Sequence, residues 1–350
     1  MLKLLIIGNN TGSKYYRYIP GGRYLQDLGH QVMIADHDDK HLQERIEQSD
    51  VVLFQMAFSP ELIRYAKRLG KRVVVEADDL LHRVGAEHYS HKELSGLGSL
   101  RWYLRVWRCL WHADLFVTTT EELRRKYGWM CKRSAVWANR CDIAHWIKPE
   151  RHNASDQVRI LWAGSSSHTE DLRFIAPVMK RVLERHPEVK FLTIGHGGAP
   201  TDDLYTQFVY GDNDIFADLP KGSREMICPV PANVWPAVLA GIAADIAIAP
   251  LVKTEFSRMK SQCKFIEYGI NGIPGVYAGW FYTDVNHGED GLLADTPLQW
   301  EAAIELLITD VTYRRRLGVR ARERILNDFD VRPHLKAWGD MVLGCDSESV

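Results

Sequence analysis

The chain has 350 residues, a length typical of one large or two medium domains, and its 46% of hydrophobic and 25% of charged residues are typical of a globular protein. It contains no run of about eighteen apolar residues, and its amino-terminal MLKLLIIGNN suits a strand and a turn better than a signal peptide. The net charge is −1, but residues 1–150 hold 23 Lys and Arg against 18 Asp and Glu, so the first half is the one that would meet a polyanion.

The six cysteines are scattered along the chain without a CxxC pair. Because paired spacing is the mark of disulfide frameworks and metal sites, we interpret them as reduced thiols. This pattern predicts a cytoplasmic protein.

Short apolar runs alternate with helical patterns in the first half of the chain. The segments predicted as strands are Leu4–Ile7, Val32–Ala35, Val51–Phe54, Val73–Val75, Leu115–Val117 and Ala135–Trp137. The segments predicted as helices are Gly22–Leu28, His41–Gln48, Pro60–Leu69 and Glu121–Tyr127. Because strands and helices alternate, we expect an α/β fold with a doubly wound parallel sheet.

The loop from Gly8 to Arg17 follows the first predicted strand. Its sequence, GNNTGSKYYR, lacks the GxGxxG spacing, so it predicts a dinucleotide site only weakly. Lys14 and Arg17 are candidate cations for a ligand at the end of this strand. The equal alternative is that both are solvated turn residues.

Glu76, Asp78 and Asp79 lie at the end of the predicted strand VVVEADDL. Neighbours in a strand point to opposite faces and chelate poorly, so we predict no metal site. We expect Asp78 or Asp79 to act as a base or to contact a substrate, which the family resemblance given below implies is the acceptor, and helix N-capping is the alternative. The histidines within residues 82–91 lack a second pair of ligands, which favours a loop over a zinc site.

Residues 99–112, SLRWYLRVWRCLWH, predict an amphipathic helix. Its apolar stripe consists of Leu100, Leu104, Trp107 and Trp111. The basic stripe beside it consists of Arg101, Arg105, Arg108 and His112. This combination suits a membrane surface or a phosphate backbone. The alternative is a helix that packs on its own domain with its arginines in water.

After the polar linker 152–157 the alternation of strands and helices resumes, and residues 251–279 carry the strongest site pattern. A helix is predicted to begin near Lys260, directly after an apolar strand, and to end at Gly272. The amino terminus of such a helix, with Lys260, Ser261 and Lys264, would seat a diphosphate. Glu267 lies one turn further on, where its carboxylate could accept hydrogen bonds from a vicinal diol.

The sequence KSQCKFIEYGINGIP at 260–274 resembles the nucleotide-binding segment of GT-B glycosyltransferases of the family 4 type. The resemblance implies that Glu267 holds the ribose of a nucleotide-sugar. It also implies that Lys260 and Lys264 stabilise the departing diphosphate. The family has another Glu, eight residues earlier, that holds the donor sugar, and this chain has Met259 there.

Other segments resemble the same family. WAGSSSHTEDL resembles the first loop of the donor domain, which implies donor contacts for Gly164, Ser165, Ser166 and His168, with Gly195 near the base. Since serines and a histidine replace the usual cations of this loop, we expect the phosphate charge to fall mainly on Lys260 and Lys264. On the acceptor side, the candidates are Gly12, Lys14, Arg17, Arg101, Arg105 and Arg108.

The resemblance covers nearly the whole chain and implies the GT-B fold, with two Rossmann-like, doubly wound parallel-sheet domains that face a cleft. We expect a first domain at 1–152 and a donor domain at 153–330, with the last helix, 331–346, packed back on the first. The implied reaction is a retaining transfer from a UDP- or GDP-sugar, without a required metal or cofactor.

The acceptor is a hydroxyl group whose carrier the sequence leaves open. Compact chains of this kind occur in tailed phages and in bacterial glycan clusters. The carrier is therefore either a hydroxymethylpyrimidine in DNA, which the resemblance favours, or an envelope glycan or lipid reached at a membrane. Two other hypotheses are a catalytically silent nucleotide-sugar-binding subunit, which Met259 would suit, and a GT-B sugar-nucleotide epimerase.

Overall fold

A computed structural model describes residues 1–8, 12–80, 96–146, 157–164, 168–195 and 215–345. Its strands form two parallel sheets of six strands each. The first sheet has the order β2-β1-β3-β4-β5-β6. Its strands are β1 (Lys3–Gly8), β2 (Gln31–Asp36), β3 (Val51–Gln55), β4 (Arg72–Ala77), β5 (Leu115–Thr118) and β6 (Ser134–Val136).

The second sheet has the order β12-β11-β10-β7-β8-β9. Its strands are β7 (Arg159–Ala163), β8 (Lys190–Ile194), β9 (Arg224–Ile227), β10 (Ile246–Ala249), β11 (Gly275–Ala278) and β12 (Leu292–Ala294). The central strands of both sheets are buried along almost their whole length. Helices on both faces of a parallel sheet require this, which is why these strands are continuous apolar runs in the sequence.

Thirteen α-helices connect or flank these strands within the described residues. In the first half they are α1 (Lys14–Arg17), α2 (Ile19–Asp27), α3 (Leu42–Glu47), α4 (Pro60–Arg68), α5 (Leu97–His112) and α6 (Glu121–Tyr127). In the second half they are α7 (Thr169–Arg185), α8 (Trp235–Gly241), α9 (Glu255–Arg258), α10 (Cys263–Ile270), α11 (Pro297–Thr309), α12 (Val311–Asp328) and α13 (Leu335–Leu343).

The last helix, α13, returns to the first sheet. It packs against α2, where fully buried Trp338 lies so close to Gly21 that a Cβ there would be 2.2 Å from the indole. Arg72 at the start of β4 donates to the carbonyl oxygen of Val342 over 2.9 Å. The predicted domain limits at 152 and 153 fall outside the described residues and stay a prediction.

Two chain segments connect the halves, one around Cys141 and the other around Asp330, and they are hydrogen-bonded to each other. The backbone N–H of Cys141 donates to Phe329 O over 2.7 Å, and that of Val331 donates to Cys141 O over 3.0 Å. Residues 141 and 330 thereby form a single parallel bridge. The chain that leaves the first half is thus tied to the chain that re-enters it.

The helix predicted to begin near Lys260 begins instead at Cys263, and a separate short helix, α9, precedes it. Thr254 caps the short helix α9, because its side chain accepts the N–H of Ser257 over 3.0 Å. That helix ends at Arg258, and α10 begins only at Cys263. Lys260 and Ser261 therefore lie in the loop between α9 and α10.

Candidate functional site

A cavity of about 290 Å³ lies between the carboxyl edges of the two sheets, where α/β folds bind ligands. The predicted site residues that line it are Gly12, Asp78, Asp79, His168, Lys260, Ser261, Lys264 and Glu267. Tyr16, Asn139, Trp235 and Tyr282 also line it, and sequence reasoning did not single them out. The structure therefore brings the candidates of both halves into one cleft.

Lys264 lies at the floor of the cleft in the first turn of α10. Its ammonium donates to the carbonyl oxygen of Ala163 at the end of β7 and lies 5.5 Å from the centre of the Trp162 ring. Burial lowers the pKa of Lys264 to about 8, although Glu267 opposes the shift. A poorly hydrated ammonium at this position would gain from any anion that entered the cleft.

Glu267 is held across the cleft by a residue of the first half. The hydroxyl of Tyr16 donates to Glu267 Oε1 over 2.8 Å. Burial raises the pKa of Glu267, whereas Lys264 and the Tyr16 hydrogen bond lower it. The tyrosine hydroxyl thus occupies one of the two carboxylate oxygens of Glu267. The position of Tyr16 on the loop after β1 is the only signal that the sequence carries for this contact.

His168 connects a buried carboxylate to Lys260. Its Nδ1 lies 2.7 Å from Asp171 Oδ2, and its Nε2 lies 3.4 Å from Lys260 Nζ. Asp171 also accepts the N–H of Val252 over 2.5 Å, and burial raises its pKa to about 6. Sequence reasoning missed Asp171, although the spacing of three residues from His168 at a helix start was a usable signal.

Asp78 and Asp79 follow β4 at the opposite wall of the cleft. Burial raises the pKa of Asp79 to about 7, against the opposing charge of Lys260. A carboxyl group with this pKa can take up or release a proton near neutrality. The N-capping alternative concerns residues 81 and beyond, which lie outside the described residues.

Arg17 does not face the cleft, contrary to the prediction. Its side chain is buried, and its Nε lies 2.5 Å from Glu76 Oε1. The guanidinium also donates to Trp137 O and to Asn139 Oδ1. Because Glu76 is fully buried at the end of β4, it needs a cation, and Arg17 supplies it. An acceptor cannot reach this group.

Asn139 links this buried pair to the second half. Besides accepting from Arg17, it donates through Nδ2 to Ser261 Oγ over 2.8 Å. Lys14, in the same first loop as Arg17, lies 5.4 Å from the centre of the Tyr15 ring. Gly12 lines the cleft opposite Ala232. The first loop therefore contributes its tyrosines and Gly12 to the cleft wall.

The predicted donor loops are described only in part. Gly195 has a φ of +82°, and a Cβ there would lie 2.0 Å from Gly164 O, so the ends of β7 and β8 touch through glycine backbone. Neither Gly164 nor Gly195 lines the cavity. Ser165 and Ser166 lie outside the described residues.

Arg101, Arg105 and Arg108 lie on α5, away from the cleft. They line a separate surface groove with Glu61, Trp102 and Leu104. Within the part of the chain that the structure describes, no three His, Cys, Asp or Glu side chains are placed to hold a metal ion. The histidines at 82, 88 and 91 are outside that part.

Solved structures of other proteins are similar to this chain in fold, at low sequence identity. No family model and no curated protein matches it. A glycosyltransferase from Rickettsia africae superposes with a TM-score of 0.67 at 11% identity, over 99% of each chain. HepE from Anabaena, solved with UDP-glucose, gives 0.63 at 14% identity, over 99% of this chain and 100% of its own. The chain has the GT-B fold.

The GT-B fold alone does not fix a reaction. A Listeria monocytogenes protein described as a UDP-N-acetylglucosamine 2-epimerase also superposes, with a TM-score of 0.54 at 11% identity over 97% of this chain and 98% of that one. At such identities the similarity establishes architecture only, because one fold hosts many activities. The function has to be argued from the residues of the cleft.

Proposed function

We propose that the chain is a retaining glycosyltransferase of the family 4 type, which moves a sugar from a UDP- or GDP-sugar to a hydroxyl acceptor. The observation that carries this proposal is the placement of Lys264 and Glu267 on one helix at the floor of the cleft, opposite Asp78 and Asp79. We also propose 1–152 as the acceptor-side domain and 153–330 as the donor domain.

In this proposal the donor lies along the loop between α9 and α10. Its diphosphate contacts Lys260, Ser261 and Lys264, with His168 beside them. The family resemblance also assigns donor contacts to Gly164, Ser165 and Ser166 and places Gly195 near the base, although neither glycine lines the cavity. Glu267 accepts the ribose hydroxyls in place of Tyr16. The side chains assigned to the diphosphate and the ribose, Lys260, Ser261, Lys264 and Glu267, line one cavity.

The reaction breaks the bond between the anomeric carbon and the diphosphate and forms a new one to the acceptor oxygen. Negative charge grows on the leaving diphosphate, which the two lysines stabilise without reorganisation. The acceptor hydroxyl loses its proton, which Asp79 can accept because its pKa is about 7. Contact of the two halves across the cleft keeps water from competing with the acceptor.

Replacement of Glu267 by Ala is expected to weaken UDP binding by about 10- to 150-fold, since a hydrogen bond to a charged group is worth about 1.5–3 kcal/mol. Isothermal titration calorimetry measures this affinity directly. The matched control is Tyr16→Phe, which removes the hydroxyl that competes for the same carboxylate. This control should bind UDP at least as tightly as the original chain.

An unchanged affinity of Glu267→Ala for UDP would show that Glu267 does not bind the ribose. A loss in Tyr16→Phe as large as that in Glu267→Ala would show that the hydrogen bond between them supports the cleft and does not compete with a ligand. Thermal unfolding of both variants separates binding from folding.

The affinity for UDP is expected to fall as pH rises, because Lys264 has its pKa lowered to about 8 by burial. A bound diphosphate favours the protonated amine, so binding above this pKa requires proton uptake. Kd should rise by up to about tenfold per unit between roughly pH 8 and 9. Calorimetry across this range measures the slope.

Lys264→Arg is the control, since a guanidinium stays protonated throughout this range. Its profile should be flat where that of the original chain rises. If both chains show the same slope, another group titrates and Lys264 does not carry the effect.

Two other activities would use the same cleft. Met259, in place of the sugar-binding Glu of the resembling family, favours a silent binder, which would neither transfer nor hydrolyse a bound donor. The His168–Asp171 pair and Asp79 would suit an epimerase, which would return an altered nucleotide-sugar. Nuclear magnetic resonance of UDP-sugars incubated without acceptor distinguishes them, because a transferase slowly releases free sugar and UDP.

A further inference from the structure

Helix α5 turns an apolar stripe away from the protein. The side chains that pack inward are Val106, Cys109 and Leu110, which are buried in the core of the first half. Of the predicted stripe, only Trp107 packs against this core. Leu100, Leu104 and Trp111 are exposed, and so is Leu97, by 74%. The face interpreted from sequence as apolar is therefore largely the outer one.

A second exposed tryptophan lies next to this helix. The 3₁₀ turn Gly128–Met130 packs against α5, and Cys131 Sγ directly after it lies 3.5 Å from Ala113 O at the end of α5. Trp129 in this turn is 67% exposed, and Trp111 is 65% exposed. Two large aromatic side chains on adjacent elements thus remain in water, which costs free energy unless another surface covers them.

The same outer face is strongly basic. Arg101, Arg105 and Arg108 are all exposed between the leucines, and the sequence of α5 contains no Asp or Glu. Lys132 and Arg133 follow the 3₁₀ turn and are exposed as well. Glu61 is the acidic residue that lines the groove beside the three arginines. The covering surface must therefore be both apolar and anionic.

We propose that α5 and the turn Gly128–Met130 form a surface that binds an anionic lipid bilayer. Leucines and tryptophans enter the interface, while the arginines contact lipid phosphates, as in helices that lie in the membrane plane. Duplex DNA would satisfy the arginines but leave the leucines in water, since its backbone offers mainly polar contacts. No helix among the described residues is long and apolar enough to span a bilayer.

The test is sedimentation of the full chain with vesicles of phosphatidylcholine containing phosphatidylglycerol, against vesicles of phosphatidylcholine alone. Binding is expected to the anionic vesicles. The variant Arg101→Gln/Arg105→Gln/Arg108→Gln should lower the partition coefficient about 100-fold, at about one kcal/mol for each arginine near the surface. The matched control is Arg315→Gln/Arg316→Gln/Arg320→Gln, which removes equal charge from exposed positions on α12 and should change binding little.

A second pair of variants tests the apolar part. Leu100→Gln/Leu104→Gln should lower vesicle binding at least tenfold, whereas Leu298→Gln/Val319→Gln, at exposed positions of the second half, should not. Membrane binding is independent of the proposed reaction, so UDP affinity should be unchanged in all four variants. Thermal unfolding confirms that each of them is folded.

Several outcomes would overturn the proposal. Failure of the original chain to sediment with anionic vesicles is one, and equal losses in the α5 and α12 arginine variants are another. If the α5 arginine variant loses affinity for plain duplex DNA while the leucine variant behaves like the original chain in both assays, the face binds nucleic acid instead. Loss of UDP affinity alone would contradict the transferase proposal and not the proposed membrane-binding surface.

Discussion

Turnover with saturating donor is expected to fall about 100- to 1,000-fold when Lys264 is replaced by Met, the range found for removal of one group that stabilises transition-state charge. The amine lies at the floor of the cleft, where it donates to Ala163 O next to the predicted phosphate loop. Since charge on the diphosphate grows as the sugar departs, the effect should be larger on kcat than on the affinity for donor.

Initial rates of UDP release at saturating donor measure this effect. Lys336→Met is the matched control, because its exposed ammonium pairs with Asp340 over 2.6 Å and does not line the cleft or the pocket beside it. A turnover equal to that of this control would show that Lys264 has no part in the chemistry. If only KM changed, the lysine would bind the ground state and the transition state equally. Thermal unfolding checks that the buried methionine is tolerated.

Replacement of Arg17 by Met is expected to lower the free energy of unfolding by about 3–5 kcal/mol, because it leaves a buried carboxylate without its cation. Glu76 is fully buried, and its pKa is already raised by burial despite Arg17. Denaturant unfolding followed by circular dichroism measures the loss. Arg23→Met is the control, since its guanidinium is largely exposed and lies 3.5 Å from Asp142, and it should cost at most about 1 kcal/mol.

The double variant Arg17→Met/Glu76→Leu should recover most of the stability, because replacement of a buried ion pair by apolar groups is often close to neutral. If Arg17→Met costs no more than Arg23→Met, the buried pair is not what holds the first loop to β4. If the double variant is as unstable as Arg17→Met, the cost lies in the carbonyl contacts of the guanidinium to Trp137 and not in the uncompensated charge.

The strands of this fold could be predicted from sequence because the apolar runs of a doubly wound sheet are a local property of the sequence. Strands such as β3 and β10 must be apolar on both faces, and the helices between them must alternate. The same logic placed Lys264 and Glu267 on one face of a helix. It placed the start of α10 near Lys260 and not at Cys263, because the pattern of apolar residues does not mark the break after the short helix α9.

Contacts between distant segments were beyond the reach of the sequence. Nothing in the loop GNNTGSKYYR shows that Arg17 turns inward to Glu76 while its neighbour Tyr16 reaches Glu267. Both contacts depend on how the two sheets meet. The sequence left the orientation of α5 open, since its inner and outer faces are both rich in apolar residues, and only packing against α4 and β4 selects between them.

The bridge between residues 141 and 330 has a mechanical consequence. Two separate connections between the halves would allow them to twist, slide and rock. Because the two connecting segments are joined side by side by hydrogen bonds of 2.7 and 3.0 Å, we expect them to act as one hinge. We therefore expect the halves to rotate about this line, so that the width of the cleft changes least at residues beside it, such as Asn139.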